Sequence, residues 1–151
     1  MRRMDKEFNK KVAGYIDKLK KMEQVTYVEE APLIKKGKRN IIAKSFIVEL
    51  DYDQLCLMGS VDVFIYYDGS FGIAKYGIPF GINDLRSLQD VIKFFYGTPF
   101  HLNLEKVNNL DIVRYIVSIP EIKVSSFRLL EIYIEQMNIS LHEIDKHCHY
   151  D

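Results

Sequence analysis

Residues 61–76 read VDVFIYYDGSFGIAKY, two runs rich in β-branched and aromatic residues on either side of an Asp-Gly step. That pattern is among the strongest short-range signals for a β-hairpin. A two-residue type I′ turn needs positive φ at both central positions, and Asp-Gly tolerates this. With Asp68-Gly69 as the turn, counting outward pairs Tyr67 with Ser70, Tyr66 with Phe71, Phe64 with Ile73 and Asp62 with Lys75. Side chains alternate along a strand, so Tyr66, Phe71, Phe64, Ile73, Asp62 and Lys75 are expected on one face. Asp62 and Lys75 then form a cross-strand ion pair at its far end.

The segments upstream fit an antiparallel sheet. VTYVEEAPLI at 25–34 and IIAKSFIVEL at 41–50 read as strands, joined by the turn KKGKRN around Gly37. Ile42, Lys44, Phe46, Val48 and Leu50 share one face of the second. Before them, Phe8, Val12, Tyr15, Ile16, Leu19 and Met22 recur at three- and four-residue steps within 4–22. This is the apolar stripe of an amphipathic helix.

After YGIPFG the spacing turns helical. Leu85, Leu88, Ile92 and Phe95 predict a helix over 84–96 that ends at Gly97. LDIVRYIVS at 110–118 is read as a helix that stops at Pro120. Ser125 or Ser126 caps a further helix, with Phe127, Leu130, Ile134 and Met137 on its core stripe. Asn138 is expected to end that helix and Ser140 to begin a last short one. The expected fold is α+β. It has an N-terminal helix, an antiparallel sheet of about four strands, and a C-terminal cluster of three or four helices. It forms a single domain over 1–151, with helix and sheet in 1–81 and a helical half in 82–151.

Composition narrows the function. With 48% hydrophobic and 28% charged residues, the chain can bury a core. The net charge of zero argues against general nucleic-acid binding. The charge is polarised, however. Residues 1–44 hold 13 Lys/Arg against 6 Asp/Glu, and residues 45–151 hold 8 against 15. No stretch approaches the ~18 apolar residues of a membrane span, and no apolar segment follows the basic start MRRMDKEFNKK. Two cysteines, Cys56 and Cys148, are too few for a disulfide framework. A cytoplasmic protein is expected. The abundance of Lys, Ile, Asn, Tyr and Phe, with Lys outnumbering Arg 15 to 6, fits the A/T-rich codons of an AT-rich bacterium or its phages.

Three constellations bear on chemistry. The restriction-endonuclease superfamily sets an Asp on one strand and Glu-x-Lys on the next. Here Asp62 is followed across the hairpin by Ile73-Ala74-Lys75. Ile takes the place of the second metal-binding carboxylate, so a metal-dependent nuclease around Asp62 and Lys75 is an alternative rather than the first choice. The stretch SSFRLLEIYIEQMNISLHEI resembles the last two helices of Xre/Cro-type repressors. With Val113, Val117, Ile119, Val124 and Phe127 as buried positions, it implies a helix-turn-helix-like DNA-binding regulator over 110–137. Its reading helix would carry Lys123 and Arg128 among Glu121, Glu131 and Glu135, a poor set for the major groove. His142, His147, Cys148 and His149 can bind metal, but their spacing matches no common zinc pattern. No cofactor or metal site is expected.

The reading that remains is a non-catalytic protein acting through protein–protein contact. One concrete form is a phage or mobile-element inhibitor of a host nucleic-acid-targeting defence complex, in the manner of an anti-CRISPR protein. The expected contact residues are the basic tip, Lys35, Lys36, Lys38 and Arg39, and the aromatic group Tyr66, Tyr67 and Phe71. The expected partner is a protein with an acidic surface, or a nucleoprotein complex. No membrane contact and no tight binding of free duplex DNA are expected, and a homodimer is left open.

Overall fold

The computed structural model describes residues 3–36, 41–50, 60–81, 85–109 and 112–147. In chain order they form α1 (Arg3–Lys20), β1 (Val25–Lys36), β2 (Ile41–Leu50), β3 (Ser60–Tyr66), β4 (Phe71–Gly81), α2 (Leu85–Phe94), β5 (Asn103–Asn109), β6 (Ile112–Val124) and α3 (Phe127–His147). The six strands make one sheet in the order β1-β2-β3-β4-β6-β5, with every neighbouring pair antiparallel.

The registers decide which side chains share a face. Val28, Val48 and Val61 lie in one cross-strand row, and Phe46, Val63 and Ile73 in the next. These side chains are buried in one cluster with Val12 and Leu19 of α1, Leu88 and Val91 of α2, and Leu130, Ile134, Met137 and Leu141 of α3. All three helices therefore cover the same side of the sheet, giving a two-layer α+β architecture. The α1 stripe is as expected: Val12 and Leu19 are buried, and Phe8, Tyr15, Ile16 and Met22 pack around them.

Two expectations for the second half are corrected. Residues 112–118 are not helical but belong to β6, and β5 lies beside it, so the described part of residues 82–151 holds two strands as well as two helices. Ile112, Val113, Ile116, Val117, Ile119, Ile122 and Val124 make this run rich in β-branched residues, which suit a pleated surface better than a helix. Pro120 marks a bulge rather than a helix stop. Opposite Ile73 and Lys75, which are two residues apart, stand Ile122 and Ile119, which are three apart. A strand with neighbours on both sides can hold a proline at such a point. A helix-turn-helix over 110–137 loses its first helix by this correction.

The second correction concerns the C-terminal end. Asn138 and Ser140 lie inside one continuous helix, α3. The Ser140 hydroxyl is buried and donates to the Phe94 carbonyl of α2 at 3.4 Å, while accepting from the Gln136 amide at 3.3 Å. It joins two helices instead of starting one.

The start of α3 follows the capping rule. The Leu129 N–H donates to the Ser126 hydroxyl at 3.2 Å, satisfying one of the unpaired donors of the first turn. Ser126→Ala is expected to lower stability by about 1 kcal/mol. That corresponds to a melting temperature lower by about 2–4 °C in a chain of this size, measurable by thermal unfolding.

Candidate functional site

The hairpin that dominates the sequence has a one-residue difference in register, and it changes what each face presents. Tyr66 N–H donates to the Ser70 carbonyl at 2.9 Å, and Gly69 N–H to the Tyr66 carbonyl at 3.0 Å. The loop is therefore three residues, Tyr67-Asp68-Gly69, with Gly69 at φ 90°. This is the turn-plus-bulge solution, in which one glycine takes the left-handed position. Asp68 stabilises it by accepting from the Ser70 N–H at 2.9 Å and the Ser70 hydroxyl at 2.6 Å, bonds that hold its carboxyl below the usual range.

Consequently Ile65 faces Phe71, Val63 faces Ile73, and Asp62 faces Ala74 rather than Lys75. A shift of one residue sends alternate side chains to opposite sides. The six residues expected on one face are split. Phe71, Ile73 and Lys75 turn toward the helices, while Asp62, Phe64 and Tyr66 turn to the open side. Phe71 is only 1% exposed. Its ring meets Tyr15 edge-on at 4.9 Å and Phe127 at 5.8 Å, so it serves the core, not a surface contact. The cross-strand ion pair is corrected likewise. Lys75 is 5% exposed and its Nζ donates to the Ser60 carbonyl at 2.6 Å. Burial brings its pKa down to about 8, against the attraction of Asp62. Burial also raises Asp62, against the attraction of Lys75. Desolvation outweighs their mutual attraction on both sides and pushes each toward its neutral form.

The remaining expected contact residues divide as follows. Tyr67 is in the hairpin loop, where its ring packs on Phe8 at 4.8 Å and borders a cleft of about 230 Å³ beside Glu7, Lys11, Tyr15 and Asp68. Lys35 and Lys36 close β1 opposite Ala43 and Ile41. Lys38 and Arg39, with the rest of the turn around Gly37, lie outside the described residues, as do Cys56, Cys148 and His149. Among the described residues no three His, Cys, Asp or Glu side chains gather to hold a metal. No described helix is long and apolar enough to cross a membrane.

The open face carries the chemistry that local reading did not assemble. Its centre is a small cluster of Ala43, Phe64, Tyr66 and Ala74. The β6 bulge aims Glu121 across Gly72, and the Tyr66 hydroxyl donates to its carboxylate. Lys123, register partner of Gly72, lays its Nζ 4.2 Å over the Tyr66 ring. Burial raises the Tyr66 hydroxyl pKa, helped by Tyr76 and Asp68. Toward β1, Tyr27 faces Glu49 across the strands. Toward the other end of β4, Tyr76 lies near Asp62, whose charge adds to burial in raising the Tyr76 pKa. Tyr27 and Tyr76 are 52% and 54% exposed. Sequence reasoning missed this face because each Tyr–carboxylate pair joins distant segments. A usable signal was present in β3, where Val61, Val63 and Ile65 alternate with Asp62 and so mark the opposite face as the open one.

Gly72 is required by this arrangement, since a Cβ there would run into the Glu121 carboxylate. Gly72→Ala is expected to displace the Glu121 carboxylate and cost about 1 kcal/mol, the low end for leaving a buried hydroxyl without its partner, because the group in the way ends a flexible side chain. In a Tyr66→Phe background the same change should cost measurably less. A double-mutant cycle by denaturant unfolding checks this coupling.

Compared with protein families, with curated proteins and with solved structures, the chain matches none.

Proposed function

We propose that this is a non-catalytic recognition protein that binds another protein through the open face of its sheet. The observation that carries this reading is the side opposite the helices. There Tyr27 and Tyr76, each more than half exposed, stand beside carboxylates on a rigid antiparallel platform. Exposed tyrosines on a fixed scaffold are efficient interface anchors, because they offer large contact area for few rotatable bonds. Nuclease-like chemistry finds less support, since Asp62 and Lys75 leave the sheet by opposite faces.

One concrete form of the reading is an inhibitor of a nucleic-acid-targeting defence complex, acting in the cytoplasm. A nucleoprotein partner suits both charged ends of the chain. Its nucleic-acid-binding protein surfaces are basic and complement the open face, while its nucleic acid complements the basic run that holds Lys35, Lys36 and Lys38.

Site-specific photocrosslinking in the native host tests the proposal. A benzophenone side chain at position 27 or 76 is expected to yield a discrete protein adduct, and one at Tyr96, on the helical side, is not. Adducts from position 96 alone, or from none of the three, would refute the assignment of this face.

A further inference from the structure

We propose that the open face binds an arginine- or lysine-rich polypeptide segment, with Tyr27/Glu49 and Tyr76/Asp62 each receiving one cationic side chain. This rests on the reading above that the open face is the recognition surface, and it names the chemistry of the partner. The structure contains its own example of the contact. The Lys123 amine lies 4.2 Å over the Tyr66 ring, whose hydroxyl is bonded to the Glu121 carboxylate. A ring that attracts a cation to its π-face, with a carboxylate alongside, is a receptor for ammonium or guanidinium.

Two more pairings of the same kind lie on this side. Glu49 is the register partner of Tyr27, and the Asp62 charge acts on the Tyr76 hydroxyl. Lys123 already serves the Tyr66 pair, whereas the Tyr27 and Tyr76 rings face solvent. Charge complementarity selects the occupant. By register the outward-facing positions hold Glu29, Glu49, Asp62, Glu105 and Glu121 against Lys35, Arg114 and Lys123, an acidic excess. That balance disfavours a nucleic-acid strand, even though exposed aromatics on a sheet can stack bases.

The register also sets a spacing. Tyr27, Glu49 and Ser60 form one row across β1, β2 and β3. Tyr76 lies on β4, two residues past Ala74, the partner of Asp62. Three strand spacings separate the two tyrosines, about 14 Å. An extended chain covers that distance in about four residues. The favoured ligand therefore carries two cations about four positions apart and crosses the strands. Asp62 also feels Lys75 from the other side of the sheet, so the Tyr27/Glu49 pair is the stronger of the two.

The test uses the full chain and blocked synthetic peptides, with binding followed by amide chemical shifts and calorimetry. One peptide carries two arginines four positions apart in a glycine–serine background. A second has citrulline at both positions, which keeps the shape and removes the charge. A third probe is a single-stranded oligothymidylate. The arginine peptide is expected to bind at least tenfold more tightly than the citrulline peptide and the oligonucleotide, and to shift amides around positions 27, 49, 62 and 76. Tyr27→Leu should weaken it about fivefold and Tyr76→Leu about twofold, the size of an exposed cation–π contact. Tyr27→Phe should restore most of the loss. Equal affinity for arginine and citrulline, preference for the oligonucleotide, or no binding at millimolar peptide each overturns the inference. Such a failure beside successful crosslinking from positions 27 and 76 would remove the cationic ligand alone. Failure of both removes the recognition face as well.

Discussion

Lys75→Met is expected to make the protein more stable at pH 7, by about 1 kcal/mol, and to flatten its stability between pH 8 and 10. Burial lowers the folded Lys75 pKa from its ordinary 10.5 to about 8. Each unit of difference from the unfolded chain is worth about 1.4 kcal/mol, so the desolvation penalty at neutral pH is roughly 3 kcal/mol. Below pH 8 both states hold the proton and the penalty is fully present. Between about 8 and 10.5 the unfolded chain holds more protons than the folded one, so the stability of the wild-type protein rises with pH. Methionine keeps the length of the side chain and removes the charge. It also forfeits the charge-assisted hydrogen bond to the Ser60 carbonyl, about 2 kcal/mol, which leaves the net gain near 1. Tyr66 and Tyr76, whose pKa values are raised, act in the opposite sense above pH 10 and bound the useful window. Urea unfolding at pH 7, 8, 9 and 10 on both proteins checks the prediction. A loss of stability at pH 7 on substitution, or parallel pH profiles, would show that the contacts Lys75 makes outweigh the cost of burying its charge.

Phe71→Ala is expected to cost about 3–5 kcal/mol, the usual range for truncating a buried phenylalanine, which is a large share of the stability of a domain this size. Phe71 is where the hairpin meets both α1 and α3, through Tyr15 and Phe127. Its removal opens a void that three elements share. Phe64→Ala should cost less, because Phe64 is buried in the four-residue cluster with Ala43, Tyr66 and Ala74 and not in the main core among the described helices. Chemical denaturation of the two variants measures the difference. Comparable small losses from both, with partner binding abolished by Phe71→Ala, would restore the two-residue turn in which Tyr66 and Phe71 share a face.

The same hairpin shows how far local sequence reaches. Asp68-Gly69 announces a reversal, and a reversal is there. The dipeptide is compatible with either a two-residue turn or a three-residue loop with Gly69 at φ 90°. The choice was made by burial. Only the longer loop sets Val61, Val63 and Ile65 on the same side as Phe71 and Ile73, against the helices. A candidate site built from the other register mixed core residues with surface ones.

What the sequence by itself determined is whatever a single element can express. The stripes of α1 and α3, the cap at Ser126 and the strands β1 to β4 are of this kind, because a period of 3.6 or 2 and a capping hydroxyl act within a few residues. Only the tertiary structure decided that residues 112–124 lie as a strand between β4 and β5, since a β-branched run is stable in a sheet only when partners flank it. It alone brought Glu121 to Tyr66 and Glu49 to Tyr27, pairs separated by 55 and 22 residues. Such contacts depend on strand order, and strand order is set by burying the apolar side of all six strands at once, a condition that no local stretch of sequence can state.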